Sequence, residues 1–291
     1  MRKIFKKSVV LLFTAMLTIT TFAGCTGSQE VFDTTREINV VTREEGSGTR
    51  DAFTELTGVL EKDNNGNKRD TTTTSAVTIN STEAVLTNVS GDKYAIGYVS
   101  LGSLKDTVKA LSINGKECNA ENVKNGSYKI SRPFNIATKG GVSKVAQDFI
   151  NFILSADGQK IVEGEGYVTV ADNPAYSGNI TEGKISVAGS SSVSPVMEKL
   201  KEAYEKIKPN VKIEIQTSDS SAGMTATMEG TCDIGMASRD LKEEESALTS
   251  VEIARDGIAV VVNKENTANN ITLNDVKKIY TSKNISWADF Q

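Results

Sequence analysis

The chain has 291 residues, with 33 lysines and arginines against 37 aspartates and glutamates and no histidine. So even a balance sets up no strong net field for nucleic acid or a bilayer, and an anion would have to be held by local geometry. The missing histidine removes histidine-based triads, histidine-ligated metals and the commonest general base.

Arg2, Lys3, Lys6 and Lys7 precede an apolar run from Val9 to Ala23 that ends in "FAGC". This is the pattern of a secretory signal over residues 1–24, not of a membrane span. Ala23 and Gly24 before Cys25 resemble a bacterial lipobox, which implies that Cys25 is lipidated and anchors the chain to the extracytoplasmic face of the cell membrane. Residues 25–36 are polar and read as a tether. From Cys25 onward roughly 267 residues remain, a length that suits two lobes of about 110 to 150 residues. Cys118 and Cys232 follow no framework pattern and are expected as buried free thiols.

"INVVT" (38–42) reads as a strand and runs through "REEGSGT" into a helix with apolar positions at Ala52, Phe53, Leu56, Val59 and Leu60. "EKDNNGNKRDTTTTSA" is expected to be a polar, solvated connection. "AIGYVSLGSL" and "YKISRPFNIATKGG" read as extended runs. Val142, Val145, Ala146, Phe149 and Ile153 have helical spacing. After the loop "DNPAYSGNITEGK", the strand "ISVAG" enters "SSSVSP" and a helix whose apolar face is Val193, Val196, Met197, Leu200, Tyr204 and Ile207. Pro195 suits the first turn of that helix, with Ser192 or Ser194 as its cap. "VKIEIQTSDSSAGM", "CDIGMASRD" and "DGIAVVVN" supply further strands, and the tail is read as a helix and a turn carrying Trp287. Alternating strands and helices predict α/β lobes with mainly parallel sheets, whose ligands sit beyond the carboxyl ends of the strands.

Four loops at such ends are rich in hydroxyls and amides: Gly46 to Thr49, Ser190 to Ser192, Ser218 to Ser221, and Ala237 to Arg239. A helix N-terminus leaves N–H groups unpaired and carries partial positive charge, so it suits an anion. One such loop is an ordinary cap; four in one chain, two beside an arginine, point to a shared anion. Neither a P-loop nor a dinucleotide fingerprint is present, and no G-x-S-x-G or histidine activates a serine. Arg43 and Arg239 offer forked donors that match a tetrahedral oxyanion. Arg50 is expected to face solvent or to pair with Asp51 or Glu45.

"AGSSSVSP", "SDSSAGM", "CDIGMASRDLKEEE" and "VVTREEGSGTRDAF" together resemble the phosphate-binding proteins of Pst-type ABC transporters, over nearly all of residues 37–291. The resemblance implies a two-lobed class II periplasmic-binding-protein fold that clamps inorganic phosphate in the interlobe cleft. It implies a monomeric receptor that delivers phosphate to the permease and ATPase subunits of a transporter, with no catalysis, cofactor or metal. In the family's usual order "AGSSSVSP" comes first and "REEGSGTR" later, so this chain looks circularly permuted. One lobe would be continuous over 128–256 and the other split between 37–127 and 257–291. Carried over by position, Ser191 and Ser192 match the first phosphate loop, Ser220 with Ser221 the second, and Arg43, Ser47, Gly48 and Thr49 the other lobe's share. The third loop has Ser238 and Arg239 where some members place an aspartate that accepts a proton from phosphate. Asp219 or Asp240 is the expected substitute. A receptor for sulfate or molybdate in the same fold, a surface hydrolase and a lipid-anchored adhesin are the competing readings.

Overall fold

The structure, a computed structural model, describes residues 31–290; the signal segment and Cys25 lie outside the described residues. The first β-α unit is strand β1 (Asn39–Arg43) and helix α1 (Gly48–Thr57), which starts where Ser47 accepts a hydrogen bond from the Arg50 amide. The polar connection that follows is not featureless. Asp63 gathers the amides of Asn65 and Asn67 into a turn, and this closes a hairpin of β2 (Leu60–Lys62) and β3 (Lys68–Asp70). Next come β4 (Val77–Ile79), α2 (Thr82–Gly91) capped by Ser81, and β5 (Ala95–Ser100). Short elements β6 (Val108–Ala110), β7 (Ser112–Ile113) and α3 (Ala120–Lys124) lead to the long strand β8 (Ser131–Lys139).

Helix α4 (Lys144–Leu154) is followed after one residue by α5 (Ala156–Gly164), because Ser155 both ends the first helix and caps the second. Then β9 (Glu182–Ser190), α6 (Ser194–Ile207), β10 (Asn210–Ser218), α7 (Ser220–Glu229) and β11 (Ile234–Ala237) repeat the strand-corner-helix design. A single strand, β12 (Leu248–Asn263), precedes the short β13 (Asn270–Ile271) and α8 (Leu273–Thr281), whose cap is Thr272.

The main sheet runs β10-β9-β11-β8-β12-β5-β1-β4, with β6 also on β12. Its two ends are parallel: β4, β1 and β5 at one, β10, β9 and β11 at the other. Its middle is antiparallel, because β8 and β12 pair with each other and with both parallel groups. The sheet is therefore mixed, with parallel order where helices cross over and antiparallel order where the chain passes between the groups.

Two apolar cores lie on this frame. The first includes Phe53, Tyr98 and Tyr280, with the Phe53 and Tyr98 rings stacked 3.9 Å apart. The second includes Phe149, Phe152 and Tyr204. Along the chain, the change of core falls between Ile130 and Phe134 and again between Ala254 and Ile258, where Val168 also reaches the first core through its bridge to Arg255. At that passage Arg132 and Asp256 form a fully buried ion pair, Nη2 to Oδ2 3.0 Å. Ser100 Oγ and the Leu101 amide donate to the other Asp256 oxygen at 3.0 Å each. Burial pushes Asp256 up to about 6, with Arg132 and these hydrogen bonds opposing the shift.

Residues near the two ends of the described chain meet. The Ile38 amide donates to Ile285 O and the Ala288 amide to Thr34 O, beside a bridge between Glu37 and Ser286. The segments a circular permutation would join, around 34–38 and 285–288, are therefore adjacent.

Candidate anion-binding site

The corners after β1, β9 and β11 and the starts of α1, α2, α6 and α7 come together between the two cores. Thr49 Oγ1 of the first half lies 2.8 Å from Ser192 Oγ of the second, and Thr82 Oγ1 lies 3.1 Å from the same hydroxyl. Arg43 Nη2 donates to Ser191 Oγ across the same gap at 3.1 Å. On the far side Ser190 Oγ donates to Ser238 Oγ, and the Ser238 amide donates to Ser220 Oγ. Gly48 is pressed against that group: a Cβ there would stand 2.4 Å from Ser220 Oγ and 2.9 Å from Ser238 Oγ. Only a glycine permits this approach.

Arg43, Ser47, Thr49, Ser191, Ser192, Ser220 and Ser238 are all buried. Hydroxyls that face one another inside a protein can each donate as well as accept, so the cluster can turn its hydrogens toward an incoming anion. Four helix N-termini add partial positive charge at the same place. Ser47 caps α1 as an acceptor, which leaves its own hydrogen free to donate. Ser192 and Ser194 do not cap α6, contrary to the expectation from "SSSVSP". The residue before that helix is Val193, Ser194 Oγ turns back to Ser190 O, and Ser192 Oγ faces Thr49 and Thr82.

The charged residues divide. Glu44 grips Arg43 through Nε and Nη2 at 2.7 Å each, which leaves the Nη1–Nη2 edge facing the hydroxyls of Thr82 and Ser191. Arg239 was expected as a second such donor, and in the structure its forked edge is taken by Glu245. Its Nη1 donates to Glu245 Oε2 and Asp240 O, its Nη2 to Glu245 Oε1 and Ser221 Oγ, and its Nε lies 3.0 Å from Asp51 Oδ2. The four Nη hydrogens are thus hydrogen-bonded away from the buried hydroxyl cluster, and Nε faces Asp51 without an aligned hydrogen bond. Against burial, which would raise it, Arg239 and the Lys242 amide hold the Glu245 carboxyl below its usual range.

Neither expected acceptor faces the cluster in the same way. Asp240 is exposed, and its contribution is the backbone oxygen that Arg239 uses. Asp219 caps α7 by accepting from the Ala222 amide at 2.8 Å and lies against Gly46 at the rim. Ser221 also stands at the rim, half-buried, with its amide donating to Gly46 O. Arg50, placed in solvent or on Asp51 or Glu45 by sequence, instead pairs with Asp70 of the hairpin at 2.9 Å and donates to Arg43 O.

Sequence reading missed Thr82, Glu44 as the partner of Arg43, and the two groups that hold the third loop from behind. Arg132 Nη1 donates to Ser238 O and Asn135 Nδ2 to Arg239 O. A signal for Thr82 existed: Ser81 stands before apolar positions Val85, Leu86 and Val89, which is a capped helix start. For Arg132 no local signal exists, because its partner is 124 positions away.

The profile of the PBP superfamily domain matches residues 17–157 and 174–291. The phosphate-binding protein PstS 2 of Streptococcus agalactiae (serotype V) is 50% identical over 283 residues, covering 96% of both chains. Its namesake in Streptococcus pneumoniae (serotype 4) is 48% identical over 86% of both chains. Among solved structures, the phosphate-binding protein of a phosphate ABC transporter from S. pneumoniae TIGR4 superposes with a TM-score of 0.70 at 47% identity, over 88% of this chain and all of that one. The match with the S. agalactiae protein runs almost from end to end, so the order of parts read here as permuted is shared with that relative. The chain belongs to the PBP superfamily and, within it, to the PstS family of phosphate-binding proteins.

Proposed function

We propose that this protein captures inorganic phosphate outside the cytoplasm and hands it to the permease and ATPase subunits of an ABC importer, acting as a monomeric receptor and not as an enzyme. The two cores serve as lobes, one over about 128–256 and the other over about 37–127 and 257–291, and Cys25 carries a lipid anchor. The observation that carries this reading is the donor cluster between the cores, where Arg43 keeps one edge open toward hydroxyls from both sides. Arg43, Ser47, Gly48 and Thr49 supply one half of the clamp; Ser191, Ser192, Ser220 and Ser238 supply the other, with Thr82 added and Ser221 at the rim.

The energetics require both halves. Micromolar affinity corresponds to about −8 kcal/mol. Charge-assisted hydrogen bonds contribute roughly 1.5 to 3 kcal/mol each before association entropy and desolvation are subtracted. One corner is too few, whereas two corners reach that value and couple binding to closure. Isothermal titration in phosphate-free buffer tests the reading. Tight one-to-one binding of phosphate over sulfate is expected. Equal binding of both would make the protein a general oxyanion receptor, and binding of neither would reduce the four loops to helix caps.

A further inference from the structure

Beyond the anion site itself, a second set of charges spans the gap between the two halves. Asp51 belongs to the first turn of α1, in the first half. Its Oδ2 lies 3.0 Å from Arg239 Nε and 3.0 Å from Lys242 Nζ, both just past β11 in the second half. Neither Asp51 Oδ2 nor Arg239 Nε finds a partner in hydrogen-bonding geometry, so their attraction is that of charges in contact, not of an aligned hydrogen bond. We infer that Asp51, Arg239 and Lys242 form an electrostatic latch that holds the two halves closed beside the anion site, with Arg239 as a positioning residue and not an anion ligand.

Three features make the arrangement a latch and not a chance surface pair. Glu245 belongs to the same half as Arg239 and grips its Nη1–Nη2 edge, so the guanidinium keeps its orientation whether or not Asp51 is present. With Glu245 the cation pair carries one net positive charge, which Asp51 neutralises only on closure. The backbone closes at the same point, where Ser221 receives Arg239 Nη2 on its hydroxyl and donates its amide to Gly46 O at 3.1 Å.

The connection between the halves is slight enough for such a pair to matter. Among the described residues β8 and β12 are the strands that run from one core to the other, and both crossings lie at the Arg132–Asp256 pair, beside the Val168–Arg255 bridge. Arg132 also holds Ser238 O, and the next residue is Arg239. Crossing, donor cluster and latch therefore succeed one another along one line of contacts. Asp51 and Lys242 are about one-third exposed, so mobile ions can compete for them.

The test uses the Ser221 amide. As the second residue of α7 it has no intrahelical acceptor, so its exchange with solvent reports closure at Gly46 O without any phosphate. In phosphate-free Asp51→Asn, exchange at Ser221 is expected to speed up about tenfold, which is about 1.4 kcal/mol, while amides within β8 and β12 exchange as in the wild type. Lys242→Met should give a smaller acceleration. Added salt should speed Ser221 exchange in the wild type and leave Asp51→Asn unchanged. Asp51→Asn should still bind one phosphate and release it faster. Wild-type exchange and salt response at Ser221 in Asp51→Asn would overturn the latch, and so would faster exchange spread evenly through β12. Because the readout needs no ligand, a failure of phosphate binding would be seen separately in the titration.

Discussion

Arg43 and Arg239 stand at comparable places in the two halves. Each is buried at or just past the carboxyl end of a strand, and each is gripped by a glutamate. The difference is the edge that the glutamate covers. Glu44 takes Nε and Nη2 of Arg43 and leaves the Nη1–Nη2 edge toward Thr82 and Ser191. Glu245 takes the Nη1–Nη2 edge of Arg239, and Asp51 stands at Nε. A guanidinium can present only one forked edge at a time to a tetrahedral anion. Two arginines of similar burial thus present opposite edges, set by which edge the neighbouring carboxylate takes.

The largest effect expected from this contrast is at Arg43. Arg43→Ala removes two charge-assisted donors of roughly 1.5 to 3 kcal/mol each, so phosphate binding should weaken at least about a hundredfold by isothermal titration. Wild-type affinity would mean that the open edge faces hydroxyls only, and the contrast with Arg239 would disappear.

Arg132 separates burial from edge geometry, because it is as buried as Arg43 but faces a single carboxylate at the crossing between the cores. Arg132→Met strands Asp256 and should cost about 3 to 5 kcal/mol of stability at pH 7. The sign with pH follows from Asp256. Its native pKa, about 6, is above the ordinary carboxylate value, so its contribution to stability is full below about pH 4 and is lost as pH rises through 6. Without Arg132 that native pKa goes higher still, and the stranded carboxylate simply protonates at pH 5. Urea unfolding should therefore show a clearly smaller penalty at pH 5 than at pH 7; equal penalties would mean that Arg132 stabilises by packing alone.

Gly48 tests whether the two sides must touch. A methyl group at this position would collide with Ser220 Oγ and Ser238 Oγ and come within 3.1 Å of the Arg239 side chain. Both serines are fully buried, and Ser220 Oγ already accepts the Ser238 amide, so neither can turn aside freely. Gly48→Ala should weaken phosphate binding about tenfold or more by titration, with the urea midpoint little changed. A large fall in the midpoint would mean that Gly48 serves folding of α1 and not closure.

What the sequence disclosed follows the same division. The β1–α1, β9–α6 and β10–α7 corners are local: each needs only the end of a strand, a few small residues and the start of a helix, all adjacent in sequence. The hydroxyls and Gly48 were legible for that reason. The sixteen-residue β12 was not, since "DGIAVVVN" is a plain apolar run whereas its first half is only partly buried, follows no strict alternation and bulges between Glu252 and Ala254. The surroundings of Arg239 were not legible, because Asp51 at its Nε is 188 positions earlier and no local pattern says that Glu245, six positions on, takes its forked edge. Glu44 was adjacent to Arg43 and still unread, because sequence adjacency does not say which edge of a guanidinium a carboxylate will take.

Thr82 gives the smallest effect and the finest test of how many helix starts the site uses. Its hydroxyl lies 3.3 Å from Arg43 Nη1, 3.1 Å from Ser192 Oγ and 3.4 Å from Ser191 Oγ, so it sits on the open edge of Arg43. Thr82→Val keeps the branched shape and the first turn of α2, which Ser81 caps independently, and removes only the hydroxyl. One net hydrogen bond is worth about 1 kcal/mol, so phosphate should bind about fivefold more weakly, and Thr82→Ser should restore most of the loss. If Thr82→Val binds like the wild type while Arg43→Ala does not, α2 contributes its dipole and backbone amides alone, and the open edge of Arg43 is read by Ser191 without help from the first half.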